Sequence, residues 1–354
     1  MKTVIITSIP SPYRVTVFDE LNTILGKDFL VIYLSETHVA FKWKKCLLKH
    51  NHVFLNEQTK SNINSKEGIY YKLKKLNPDV VITCGFNPTM LKAMVFSIIN
   101  KKKLIANTDA WELNERSYSI FHILIRKILY KKMQAFIPVS HKGYLNFLRY
   151  NLKKEQIFIS HYAIDNEYSA QFINTEKNYD ILFSGQFIDR KMPFFFCDVV
   201  EELSKINKSL KVLLLGDGEL RPQVIERLKL KNINYTYLGF VQKEDLPRHY
   251  ASARLFLFPT KLDSWGVVAN DACSVGTPVV TCENAGSAND LIIHNYNGYV
   301  LPLDIKIWVN HINTLLNNNN LYTTFSENCL SQIQKFNPKE ASEGIINAIN
   351  FAIK

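Results

Sequence analysis

The chain has 354 residues, 47% hydrophobic and 21% charged, enough apolar matter for two separate α/β cores and too much for a disordered chain. No run of about 18 apolar residues occurs, so no bilayer-spanning helix is expected. The net charge of +11 sits in residues 1–170, with 25 Lys and Arg against 13 Asp and Glu; residues 171–354 hold 18 against 19.

A basic first half beside a neutral second half suggests an anionic partner or substrate, or a charge kept for solubility. The opening MKTVIITSIPSPYR is too short in apolar residues for a signal peptide and reads as a first buried strand, Val4–Thr7. Further strands are predicted at Phe29–Leu34, Val80–Thr83, Leu104–Ala106 and Phe136–Val139. The stiff loop Ile9-Pro10-Ser11-Pro12-Tyr13-Arg14 follows strand one; Arg14 can reach a phosphate or pair on the surface. Residues 116–133, RSYSIFHILIRKILYKKM, place Ile120, Phe121, Leu124, Ile125 and Ile128 on one helical face and Arg116, Arg126 and Lys127 on the other. Such a helix lies on an anionic membrane surface, or packs on the core with its basic face solvated. Lys42–Lys45 and Lys101–Lys103 add to the charge, and no nucleic-acid-binding motif accompanies it, so no nucleic-acid partner is expected.

The polar stretch Tyr162–Thr175 reads as a linker, between a domain over 1–165 and a second over 175–337. Strands are predicted there at Ile181–Ser184, Val212–Leu215, Tyr235–Leu238, Leu255–Phe258, Val279–Thr281 and Tyr299–Val300, with helices at Phe194–Asn207, Arg221–Leu228 and Asp245–Ala251. Strands alternating with helices imply an α/β fold with a parallel sheet in each half. The six cysteines form no CxxC and no metal spacing, which reads as reduced, buried thiols of a cytosolic protein.

The most informative stretch is Phe258–Cys282, FPTKLDSWGVVANDACSVGTPVVTC. Asp263 follows a strand; Asp271 lies about two turns into a helix predicted to begin near Gly266, which Gly276 and Pro278 end. Ligands of parallel α/β sheets bind at that edge. Upstream, Ser184-Gly185-Gln186 leads to Arg190–Lys191, and Leu215-Gly216-Asp217-Gly218 follows a buried strand, where glycines let backbone N–H groups approach an anion.

These segments resemble the retaining glycosyltransferases of family 4 (group 1). The pattern is acid, seven residues, acid, then a helix closing on Gly276-Thr277-Pro278-Val279, with Trp265–Gly266 matching as well. Both acids are Asp here where the family has Glu. The resemblance implies the GT-B fold, two Rossmann-like doubly wound domains facing a central cleft, with a final helix at about 338–354 returning to the first domain. It implies a UDP- or GDP-linked sugar donor, no cofactor and no metal, since Thr108-Asp109-Ala110 is not an Asp-x-Asp motif. By the same resemblance Lys191 holds the donor diphosphate, with Arg190 supplying the charge that Gln186 lacks. Gly185, Gly216 and Gly218 approach the nucleotide, Phe240 and Val241 flank the base, and Asp271 accepts from the ribose hydroxyls. Asp263 meets the donor sugar beside Ser264, Trp265 and Gly266, and Glu283–Ser287 forms a further donor loop. Asp109, or Asn107, stands where relatives carry a His facing the sugar.

The function so implied is transfer of a hexose or related sugar, with retention, to a hydroxyl of a glycan or lipid-linked acceptor in surface polysaccharide assembly. The setting would be the cytoplasm or the inner membrane face. Two alternatives stand beside it. One is a sugar-nucleotide epimerase on the same fold. The other is a non-catalytic nucleotide- or glycan-binding homologue. A dinucleotide oxidoreductase is disfavoured, because no GxGxxG follows any predicted strand.

Overall fold

The structure is a computed structural model and describes residues 1–36, 44–55 and 68–354. The chain divides into two compact units, Met1–Ala163 with Pro338–Lys354, and Ile164–Asn337. Lys42, part of the basic run 42–45, lies outside the described residues.

The first unit holds β1 (Thr3–Thr7), β2 (Phe29–Tyr33), β3 (His52–Phe54), β4 (Val80–Cys84), β5 (Lys103–Thr108) and β6 (Ala135–Pro138). Their order is β3-β2-β1-β4-β5-β6, every pairing parallel. The second unit holds β7 (Tyr179–Ser184), β8 (Lys211–Leu215), β9 (Asn234–Gly239), β10 (Ala253–Phe258), β11 (Val279–Thr281) and β12 (Gly298–Val300). Its order, β12-β11-β10-β7-β8-β9, is the same doubly wound pattern, again all parallel. The central strands are continuous Val, Ile, Leu and Phe runs because helices cover both of their faces. Every predicted strand is present. The unpredicted strand is β3, a short edge strand whose His52 is exposed.

In each sheet the winding reverses direction, between β1 and β4 and between β7 and β10. A crevice opens beyond the strand ends at such a reversal. Helix Pro338–Ile353 joins the first unit, laying Ile345, Ala348 and Ile349 against the core that helix Pro12–Leu25 also covers. The stretch read as a linker contains a short helix, Asn166–Ala170, capped by the Asp165 side chain, which accepts from the Tyr168 N–H.

Of the two settings left open for the segment 116–133, the helix does not pack its apolar stripe on the core. The helix spans Ile120–Tyr130, and its apolar stripe faces outward while Arg126 is buried. Arg126 is drawn in by its partners: Glu115 accepts an ion pair at 3.6 Å, and the guanidinium lies 4.4 Å from the ring centres of Phe86 and Tyr118. Periodicity counts apolar faces and is blind to such a receptor for a cation.

Candidate active site

The strand ends of the second unit gather most of the predicted residues. After β7 the chain passes Gly185 and Gln186 into a 3-10 turn, Asp189–Lys191, and then helix Pro193–Ile206. After β10 it passes Thr260–Asp263 and enters helix Val268–Ser274. Two contacts tie these loops together. Lys261 Nζ bonds both carboxylate oxygens of Asp189 at 2.6 and 2.8 Å, and Thr260 Oγ1 donates to the Arg190 carbonyl at 3.1 Å. This tie sets Lys191 against Asp263 in an ion pair, with Arg190 Nη1 at 3.5 Å from the same carboxylate oxygen and 2.8 Å from the Leu262 carbonyl. Lys191 and Asp263 are nearly buried; Arg190 is half exposed. Burial pushes the Asp263 carboxyl up, but Lys191, with Arg190 behind it, outweighs burial and holds it below the ordinary carboxylate range.

The loop after β11 closes on the same place. Asp263 N–H donates to the Asn284 carbonyl at 3.0 Å, Gly286 N–H to the Asp263 carbonyl at 2.9 Å, and Ser287 N–H to the Trp265 carbonyl at 2.9 Å. A Cβ on Gly286 would stand 2.0 Å from the Ser264 carbonyl oxygen, so only glycine fits. The backbone after β8 is as close: Gly216, at φ +115°, would put a Cβ 1.9 Å from the Gly185 carbonyl oxygen, and Gly218 would meet the Phe187 backbone. Past β9, Phe240 is exposed and Val241 half-buried.

Helix Val268–Ser274 begins later than predicted, so Asp271 stands one turn into it. Its carboxylate has no hydrogen-bond partner among the described residues. Burial pushes its pKa from 3.8 to about 7, and Lys243 opposes that rise. The buried Tyr250 hydroxyl feels the same carboxylate and has Ser184 as a neighbour. Trp265 is in the core: it lies against Phe336 and its Nε1 donates to Asn270 Oδ1 at 2.8 Å, so its side chain braces the loop and its backbone alone can meet a ligand.

Arg14 and Asp109 form a separate cluster in the first unit. Arg14 Nη1 donates to Asn107 Oδ1 at 2.7 Å and approaches Cys84 Sγ at 3.5 Å; Nη2 donates to Tyr162 Oη at 2.9 Å. Tyr162 in turn donates to Asp109 Oδ2 at 3.1 Å. Arg14, Cys84, Asn107 and Tyr162 line a recess with Tyr13 and His161. The sequence reading missed Tyr162 as a site residue, although it opens the stretch read as a linker. It also missed the Lys261–Asp189 tie, and Tyr250 and Lys243 beside Asp271. No motif marks these, because they act through neighbours that only the fold supplies.

Residues 165–331, a little under half of the chain, match the family described as glycosyl transferases group 1. The second unit is a glycosyltransferase domain. The whole chain superposes on Anabaena Alr3699/HepE in complex with UDP, with TM-score 0.80 at 16% identity, covering 99% of this chain and 100% of the other. It also superposes on the lipopolysaccharide outer core galactosyltransferase WaaB, with TM-score 0.75 at 13% identity and 99% of both chains covered. The transferase therefore has the GT-B fold, two parallel α/β sheets of six strands. Among relatives by sequence, an uncharacterized 41.2 kDa protein in the cps region of Klebsiella pneumoniae is 23% identical over 282 residues, 71% of this chain and 74% of that protein. The O-antigen chain mannosyltransferase B of Escherichia coli is 33% identical over 113 residues, 32% of this chain and 29% of that protein.

Proposed function

We propose that this transferase moves a sugar from a UDP- or GDP-sugar to a hydroxyl of a glycan or lipid-linked acceptor, with retention of configuration, in assembly of a surface polysaccharide. The observation that carries the reading is the set of groups at one sheet edge of the second unit. A cation pair, Lys191 and Arg190, a tightly approaching glycine backbone and the carboxylate of Asp271, without a hydrogen-bond partner among the described residues, are the chemistry a nucleoside diphosphate needs. A vicinal diol donates two O–H groups, and an ionised carboxylate offers acceptors on two oxygens. A diphosphate gains negative charge as its sugar leaves, and fixed cations there lower the barrier.

In the reaction so read, the bond from the sugar's anomeric carbon to the phosphate oxygen breaks and a bond from the acceptor oxygen forms on the same face. The acceptor's proton passes to the leaving phosphate oxygen, so no protein base is required. Asp263 positions Lys191 and takes a donor-sugar hydroxyl, with a side chain one methylene shorter than the family's Glu. Lys191 and Arg190 carry the leaving-group charge without a metal. In the first unit, Asp109, which accepts from Tyr162 Oη, orients hydroxyls. The names of the Klebsiella and Escherichia relatives support a polysaccharide setting. Among the described residues no helix is long and apolar enough to cross a membrane.

Titration with UDP and GDP by calorimetry, in EDTA, tests the reading. Binding of one nucleotide is expected, and it fixes the donor class. Binding of neither, or binding only after a divalent metal is restored, would remove the donor site as described.

A further inference from the structure

Helix Ile120–Tyr130 is inside out. An amphipathic helix on a globular unit turns its apolar stripe to the core. Here Arg126 and Tyr130 face in, and the stripe faces out, with Ile120 70%, Phe121 72% and Ile128 63% exposed. Leu124 and Ile125 continue the same face. The orientation is fixed from within, because Arg126 is held by Glu115 and two aromatic rings, and Glu115 also accepts from Tyr150 Oη at 2.8 Å. The helix cannot roll its apolar face inward without stripping a buried guanidinium of its partners. Contiguous exposed apolar surface marks a contact site.

The rim of the stripe identifies the contact. At 100° per residue, Lys127 borders the stripe on its Ile120 side, and Lys131 and Lys132 follow the last helical residue, Tyr130, at the C-terminal end of the stripe. All three are exposed. The acidic residues near the stripe are already engaged: Glu115 inside, and Glu112 with Arg116 at 3.2 Å and Arg149 at 2.8 Å. An apolar strip rimmed by unopposed lysines fits an anionic lipid surface, with apolar side chains at the acyl boundary and ammonium groups among the headgroups.

We propose that this face docks the protein on an anionic bilayer, with Ile120, Phe121, Leu124 and Ile128 entering the interface and Lys127, Lys131 and Lys132 selecting for negative headgroups. The inference rests on the proposed use of a lipid-linked acceptor, and it assigns the surface that would bring the first unit to that acceptor. It takes the first of the two settings that the periodicity leaves open, with the apolar stripe as the membrane side and Arg126 as an internal brace.

The test is co-sedimentation of the full chain with phosphatidylcholine vesicles containing a quarter phosphatidylglycerol, and with pure phosphatidylcholine vesicles. Binding to the anionic vesicles, weakened by salt, is expected. Phe121→Asp with Ile128→Asp should lower partitioning at least about tenfold. Charge reversal of Lys127, Lys131 and Lys132 should lower it about fivefold per lysine, on the anionic vesicles only. Wild type that ignores anionic vesicles, or a Phe121→Asp, Ile128→Asp variant that binds as well as wild type, overturns the inference. A wild-type dimer that this variant splits, with no vesicle binding, overturns it in favour of self-association. UDP and GDP titration of the same samples reads the transferase site separately. Nucleotide binding without vesicle binding defeats the docking face and leaves the transferase reading standing.

Discussion

The two sheets share one winding order, yet the charged groups at their strand ends are arranged in opposite ways. In the first unit the cation is spent on the protein itself. Arg14 donates to Asn107 and Tyr162, Tyr162 passes a hydrogen bond to Asp109, and the cluster closes without a carboxylate ion pair among the described residues. In the second unit the arrangement is left open at Asp271, and the cations Lys191 and Arg190 share one carboxylate oxygen. A guanidinium satisfied by neutral neighbours holds loops in place. Two cations on one carboxylate, and a second carboxylate with no hydrogen-bond partner among the described residues, leave net capacity for an anion and for hydroxyl donors. On the proposed reading, the same fold uses one strand edge as a brace and the other as a receptor.

Lys191→Ala breaks the receptor at its strongest point. If Lys191 stabilises the leaving diphosphate, turnover should fall about 10²–10³-fold, the usual cost of removing one preorganised transition-state contact. Asp263→Ala should also impair transfer while leaving nucleotide affinity nearly unchanged, because its proposed partners are Lys191 and the sugar. Steady-state kinetics beside calorimetry checks both, and equal turnover in either variant would sink its assigned role. The brace should respond differently. Arg14→Ala strands the buried Asn107 and Tyr162 groups and should destabilise the first unit by roughly 2–3 kcal/mol, the scale of hydrogen bonds to a charged group. Nucleotide affinity should hold. A loss of affinity with unchanged thermal stability would make Arg14 a ligand instead of a brace.

That contrast also marks what could be read in advance. The sheets were legible because buried parallel strands are long β-branched runs, and β3 escaped because three residues at an edge carry little pattern. Lys191, Asp263 and the glycine loops were legible because close backbone approach and fixed spacing leave residues in the sequence. The orientation of helix Ile120–Tyr130 was not. Its apolar periodicity is genuine, but Glu115, Tyr118 and Phe86 together make a better home for Arg126 than the core makes for Ile120 and Phe121. That competition depends on residues up to 40 positions away along the chain (Phe86 to Arg126), which no local period records. Tyr162 was hidden for the same reason, its value lying in Arg14, far upstream.

The smallest expected effect is the most diagnostic for the receptor. Burial raises the Asp271 pKa from 3.8 to about 7, so between those values the folded protein keeps a proton that the unfolded chain releases. Stability of the free protein should therefore fall as pH rises from 4 to 7, since the native state binds more protons than the unfolded state over that range. Nucleotide affinity should run the other way. Ribose hydroxyls donate best to the ionised carboxylate, so affinity should rise about tenfold between pH 6 and pH 8, the gain expected as a group with pKa near 7 deprotonates. The phosphates of the nucleotide titrate in part of this range, and Asp271→Asn separates the two contributions. An amide cannot ionise, so in that variant the phosphate contribution alone remains and both slopes should flatten. Calorimetric affinities and thermal midpoints across pH 5 to 8 check this. Parallel pH profiles in wild type and Asp271→Asn would mean that Asp271 does not face the nucleotide, and that the open edge of the second unit is as closed in solution as the brace of the first.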